Sequence, residues 1–230
     1  FAREGADIVL NYFRNREPAE ATAAEITALG QRVFVVRADV GKPEDVERLI
    51  DSSHELGGLD VLVHNAASGY NRPVMDQRVK GWDWTLNINA RAALFLAQRA
   101  APIMHARGGG AIVNMSSIGA QWVLPEYVVV GASKAALEAV TRYLAVELAP
   151  MGIVVNAISA GLVMTEALQN FPGIRERFAD HITYTLDRTP AGQAVEAEDI
   201  AGVVAFLCSR EAFMIRGQTI TVDGGATLRF

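Results

Sequence analysis

The sequence predicts an α/β protein built on a doubly wound parallel sheet with helices on both faces. Short apolar runs alternate with longer helical patterns along the chain, from Ile8 to Val222. The runs are short and apolar, as strands buried on both faces are. Polar residues stand where several of them end, at Asp39, Asn65 and Ser117, and that carboxyl edge is where an open sheet of this kind places its chemistry.

Phe1-Ala2-Arg3-Glu4-Gly5 reads as the last turn of a helix closed by glycine. Ile8-Val9-Leu10 is a strand, Ala19 to Leu29 a helix ended by Gly30, and Val33 to Val36 a second strand followed by Asp39-Val40. Pro43-Glu44-Asp45 opens the next helix, with proline in the first turn and acids at the positive dipole end, and Val46, Leu49 and Ile50 give it one apolar stripe. The strand Leu59 to Val63 delivers His64-Asn65-Ala66-Ala67, and a long helix follows through Asn89, Leu94, Phe95 and Met104. Gly108-Gly109-Gly110 then bounds the strand Ala111 to Ser117. The helix beyond it carries Ala135, Leu137, Val140, Leu144 and Leu148, a core pattern closed by Pro150. Ile153 to Ile158 and Gln218 to Val222 are the last strands, and Ile200, Val203, Val204 and Leu207 mark the helix between them. Ser159 to Ala194 is too long for an ordinary loop. Phe171, Ile174, Phe178, Ile182 and Leu186 recur there at near-helical spacing, as a lid over an apolar pocket or a helix packed on the core would have them.

The 230 residues suit one domain spanning 1–230, with the lid at about 159–194. Half of them are hydrophobic and a fifth charged, a globular composition, and the net charge of −5 argues against a nucleic-acid partner. No apolar run approaches the ~20 residues that span a bilayer, and no signal peptide is evident, which predicts a cytoplasmic protein. One cysteine, Cys208, makes no internal disulfide, and four scattered histidines suggest no metal site.

Tyr127 and Lys134, near the start of the core helix and beside the strand-end Ser117, form a candidate proton-donating set. The ammonium would lower the phenol pKa, and the phenol would protonate a developing oxyanion. Taken singly they could equally be a rim aromatic and a solvated charge. Together with His64-Asn65-Ala66-Ala67 and Asn89 they resemble the catalytic frame of the short-chain dehydrogenase/reductase family, over the whole chain. Most members place tyrosine four residues before lysine, where this chain has Val130; Tyr127 is seven before Lys134. On a helix that moves the phenol from ~6 Å to ~10.5 Å along the axis, about one turn further from the lysine. The longer spacing, with Ala66-Ala67-Ser68-Gly69, Trp82-Asp83-Trp84 and Met214-Ile215-Arg216-Gly217-Gln218, resembles the NADPH-dependent enoyl-acyl-carrier-protein reductases of type III.

The resemblance implies a Rossmann-like fold whose first strand and glycine-rich phosphate loop are absent from this sequence. Because that strand is central, its true absence would leave a gap in the sheet and unpaired backbone groups, so a segment preceding Phe1 is expected. The resemblance also implies a homotetramer, an acyl thioester substrate that an acyl-carrier protein could carry, and a role in fatty-acid biosynthesis; the positive charge of Arg175, Arg177 and Arg188 could meet such an acidic carrier. Arg14, Asn15 and Arg16 follow the first strand with no acid before Glu17, which favours NADPH over NADH unless the arginines are merely solvated. Asp39 and Val40 would contact the adenine, though Asp39 could instead cap the helix at Pro43. Asn65, Ala66 and Ala67 would line the ribose, Lys134 the nicotinamide ribose, and Val163 and Thr165 the carboxamide and phosphate. Tyr127 would protonate the substrate, Asn89 would hold a relay water, and Ser117 would be secondary, being further from the displaced tyrosine. A carbonyl reductase in which the loop bends to return Tyr127 to the customary place is the alternative. A non-catalytic NADPH-binding sensor is a second.

Overall fold

The computed structural model describes residues 1–163, 187 and 189–229. Six parallel strands are present among them: β1 Ile8–Tyr12, β2 Val33–Arg37, β3 Val61–His64, β4 Gly110–Ser117, β5 Ile153–Ala160 and β6 Thr219–Val222. The helices are α1 Arg16–Ala28, α2 Pro43–Asp51, α3 Val79–Leu86, α4 Ala92–Ala106, α5 Val128–Glu147 and α6 Ala197–Leu207. The fold is α/β and Rossmann-like.

The strands form two ladders. β1 pairs with β2, and β3, β4, β5 and β6 pair in that order, all parallel. No described strand joins β1 to β3.

β4 and β5 form the centre of the larger ladder, and each is buried along most of its length. Ile112 and Val113 are neighbours in β4, yet they enter different apolar clusters, because side chains along a strand alternate between faces. Ile112 packs with Leu49, Leu96, Met104 and Leu144 from α2, α4 and α5. Val113 packs with Ile200, Val204 and Leu207 from α6. A strand covered on both faces must be apolar on both, which is why these runs do not alternate in sequence.

The helix expected through Asn89 is not one regular element. α3 and α4 are joined by a π-helical stretch, Asn87–Arg91, in which Ile88, Asn89 and Ala90 are buried. Such bulges widen a turn and redirect one side chain, and here that side chain is Asn89. Two-thirds of the lid expected at 159–194, residues 164–186 and 188, lies outside the described residues. Ser159 and Ala160 still belong to β5, and Val163 makes a parallel bridge to Val195.

Candidate active site

The site is built where β4 hands over to α5. Ser117 ends the strand and accepts a hydrogen bond from the Gly119 N–H at 3.2 Å, which starts the 3-10 turn Ile118–Ala120. The chain then runs out through Trp122 and Pro125 and reverses at Glu126. That residue has φ +60°, the one non-glycine in the left-handed region among the described residues, and its carbonyl accepts from the Arg72 N–H at 2.9 Å. Backbone strain of this kind persists only where the surroundings enforce it.

The reversal sets Tyr127 at the N-cap of α5, where its carbonyl accepts from the Gly131 N–H at 2.7 Å. Its ring lies against Gly119, where an added Cβ would stand 2.5 Å from Tyr127 Cε1. A Cβ on Gly131 would stand 2.6 Å from the Gly119 carbonyl oxygen. Glycine at both positions lets helix, turn and ring close on one another, and the Tyr127 hydroxyl comes to 3.5 Å from Ser117 Oγ.

This corrects the helical-spacing argument. Tyr127 is not one turn further out on a continuous helix with Ser117 left behind; α5 begins at Val128, and the loop folds the phenol back beside the serine. Val130, at the position most relatives give to tyrosine, is buried and packs against Gly69, where a Cβ would clash with its side chain.

The electrostatics also differ from expectation. Burial raises the Tyr127 pKa and the hydrogen bond with Ser117 draws it back; the ammonium of Lys134 is not among the causes. Lys134 is itself buried, which lowers its pKa to about 8, and its Nζ donates to the Met115 carbonyl oxygen at 2.6 Å. Its field acts on His64, whose pKa falls to about 4, first by burial and then by the Lys134 charge. At neutral pH the set is a protonated phenol, a cationic lysine and a neutral imidazole.

Asn89 is fully buried. Its Oδ1 accepts from the Ser68 N–H at 2.8 Å, and its Nδ2 donates to Ser68 O and Ser133 Oγ, each at 2.8 Å. Its own carbonyl oxygen lies 3.3 Å from His64 Nε2. The asparagine therefore ties the loop after β3 to α5 at the residue preceding Lys134.

The residues expected to meet a dinucleotide are less firmly held. Arg14 is exposed and lies over the rings of Phe13 and Trp84, 5.2 and 5.8 Å from their centroids. Arg16 belongs to α1 and ion-pairs with Glu20 at 2.7 Å, while Asn15 is the N-cap of α1 without a side-chain capping bond. Asn65 and Ala67 are exposed and Ala66 half-buried at the end of β3. Asp39 is buried, but it does not cap α2, whose N-cap is Lys42; its carboxylate accepts from the Gly41 N–H at 2.9 Å and shapes the turn beside buried Val40. Val163 stands past the end of β5, and Thr165 lies outside the described residues.

A cleft of about 550 Å³ opens beside Tyr127, lined by Arg72, Val74, Trp122, Leu124, Val128 and Ala132 among others. Its wall is largely apolar, with the phenol on one side. The sequence reading missed two contributors to this region, Ser133 and Glu138, and gave no role to Ser68 or to Trp84, whose Nε1 donates to Ser68 Oγ at 2.7 Å. A helical signal existed for Glu138, which is four residues after Lys134 and so on the same face of α5.

Parallel strands with polar side chains gathered at their carboxyl ends define a Rossmann-like α/β protein of the dehydrogenase type. The sequence model of the family described as Enoyl-(Acyl carrier protein) reductase matches residues 1–227. The chain belongs to the short-chain dehydrogenase/reductase family. Among curated relatives, 1-cyclohexenylcarbonyl-CoA reductase of Streptomyces collinus is 37% identical over 99% of this chain and 80% of its own length. Human dehydrogenase/reductase SDR family member 4 is 37% identical over 99% of this chain and 81% of its own. Among solved structures, 7α-hydroxysteroid dehydrogenase complexed with NADH and 7-oxo glycochenodeoxycholic acid superposes with a TM-score of 0.90. It shares 30% identity over 98% of this chain and 86% of that one. Acetoin dehydrogenase from Enterobacter cloacae gives a TM-score of 0.87 at 29% identity over 100% of this chain and 88% of that one.

Proposed function

We propose that this protein is an NADPH-dependent reductase acting on the C=C bond of an enoyl thioester, with Tyr127 as proton donor. The observation that carries the reading is the replacement of the customary tyrosine by buried Val130, with the phenol of Tyr127 held at the N-cap of α5. The family description and the acyl-CoA reductase among its relatives support the same reading.

The residues present suit a nicotinamide dinucleotide. Lys134 is a buried cation with three donors, of which Met115 O takes one, so ribose hydroxyls can take the others. Arg14 stacks by its face, which leaves its N–H edges for a 2′-phosphate. When bound, the cofactor would supply a hydride to the β-carbon. Negative charge would develop on the thioester oxygen, where a donor must stand. The phenol of Tyr127, raised in pKa by burial, keeps its proton at neutral pH and would donate it there, giving an enol that tautomerises to the saturated thioester. Asn89 fixes the loop that carries Asn65 to Ser68, and the apolar cleft takes the acyl chain.

One observation favours a second reading. The 3.5 Å contact between Tyr127 and Ser117 restores a serine–tyrosine pair that could polarise a ketone, so carbonyl reduction, of a 3-oxoacyl thioester for example, is the competitor. NADPH consumption measured with crotonyl and acetoacetyl thioesters separates the two: enoyl turnover alone supports the first, keto turnover alone the second. Cofactor binding without turnover of either would leave a sensor. Copies would associate, as a homotetramer in this reading, through exposed apolar side chains such as Tyr143, Val146 and Met214.

A further inference from the structure

Three consecutive residues at the end of β4 are each held by α5 or its N-cap. Lys134 binds the Met115 carbonyl, Glu138 binds Ser116, and Tyr127 approaches Ser117. The middle contact has no part in the chemistry described above. Glu138 is 5% exposed, and its Oε1 accepts from Ser116 Oγ at 2.7 Å. Its Oε2 accepts from Gln121 Nε2 at 3.1 Å. No lysine, arginine or histidine forms an ion pair with it among the described residues. A carboxylate buried without a counter-cation is costly, and it is tolerated where its hydrogen bonds fix a geometry.

We infer that Glu138 is a positioning residue that clamps both ends of the Ser117 turn, and so sets the distance between Ser117 Oγ and the Tyr127 phenol. Ser116 lies immediately before Ser117, and Gln121 closes the 3-10 turn that follows it. Between these two anchors the turn can neither slide along α5 nor lift from it. Because the ring of Tyr127 rests on Gly119 inside that turn, the same clamp supports the phenol. The cleft wall at Trp122 and Leu124 continues from Gln121, so the turn's position also fixes where bound substrate meets the hydroxyl.

The inference rests on Tyr127 as proton donor, and that reading fails separately, if Tyr127→Phe retains turnover. Glu138→Ala and Glu138→Gln are measured alone and in the Ser117→Ala background, with whichever thioester is turned over. Expected for Glu138→Ala is a fall in kcat of about 10- to 100-fold, the effect of misplacing a reacting group by about 1 Å, with the cofactor KM unchanged. Glu138→Gln keeps an oxygen for Ser116 and should recover most of the rate. In the Ser117→Ala background the Glu138→Ala loss should shrink to the part that acts through the Tyr127 ring on Gly119. A loss that persists in full there, or one that moves the cofactor KM and not kcat, overturns the inference. Should Glu138→Ala fail to fold, Gln121→Ala releases one clamp and leaves the carboxylate in place; an unchanged kcat would again overturn it. A crystal structure of the folded variant gives the answer without turnover, since an unaltered Ser117–Tyr127 separation contradicts the clamp.

Discussion

The two ends of the candidate site are made differently. At the carboxyl ends of β3 and β4, Asn89, Ser133, Lys134 and Glu138 are buried, and their polar atoms are matched to backbone or side-chain partners from other elements. At the end of β1, Arg14, Asn15 and Arg16 are exposed, and what holds them is an aromatic stack and an ion pair within one helix. Buried hydrogen-bonded groups lose a great deal when one partner is removed, whereas exposed charges are screened by water and salt. In the proposed reading the first end is organised for chemistry before substrate arrives, and the second would contribute affinity and adapt.

The sharpest way to break that contrast is at the phenol. Tyr127→Phe deletes only the hydroxyl, so cofactor binding should survive while kcat falls by about 10²–10⁴-fold, as loss of a general acid requires. Single-turnover rates with saturating NADPH would show this. A variant that kept its rate would remove Tyr127 from the chemistry. Ser117→Ala should now cost nearly as much, because the serine stands beside the phenol and not a turn away from it.

Asn89→Ala should come next in size and should affect stability as well as rate. It leaves the Ser68 N–H without its Oδ1 acceptor and removes the tie to Ser133 in a fully buried site. About 1–3 kcal/mol of unfolding free energy is at stake for a buried group left unpaired. Denaturant midpoints measured beside kcat would separate this from Tyr127→Phe, which should leave the midpoint almost unchanged.

A smaller effect comes from His64. Burial, and then the Lys134 charge, hold its folded pKa at about 4 against an ordinary value near 6.5. Between those values the unfolded chain binds a proton that the folded chain does not, so stability falls as pH drops through the window, by about 3 kcal/mol at its lower end. Urea midpoints at pH 7 and pH 4 should draw apart in the parent protein and less so in His64→Gln. Equal separation in both would mean that other groups dominate acid unfolding.

How much of this was legible in the sequence follows the same division. Strands and helices were readable because burial on both faces leaves a continuous apolar signature, as in β4 and β5. Ser117, Lys134 and Asn89 were readable because their positions match a family frame. The return of Tyr127 to Ser117 was readable only as the bent-loop alternative, because it depends on one residue, Glu126, adopting a left-handed conformation that nothing in its type announces. Glu138 carries no motif of its own, and only the placing of β4 beneath α5 gives it partners. The capping role considered for Asp39 failed for a similar reason, since an aspartate before a helix fits a turn as well as a cap.

The least costly change should be at the exposed end, and it discriminates between the two arginines there. Arg16 is already neutralised by Glu20, and an exposed i,i+4 pair contributes little, so Arg16→Ala should alter NADPH affinity only slightly. Among the described residues no carboxylate forms an ion pair with Arg14, and its N–H edges suit a phosphate. Arg14→Ala should therefore raise the NADPH KM several-fold, on the order of 1 kcal/mol for a charge-assisted bond made in solvent. NADH, which lacks the 2′-phosphate, should be indifferent to the change. Raising the salt to about 0.5 M should shrink the difference between Arg14→Ala and the parent, since screening acts within a few ångströms at that ionic strength. If Arg16→Ala proves the more damaging, or if NADH suffers equally, the phosphate contact does not belong to Arg14 and the end of β1 is a solvated edge rather than a binding surface.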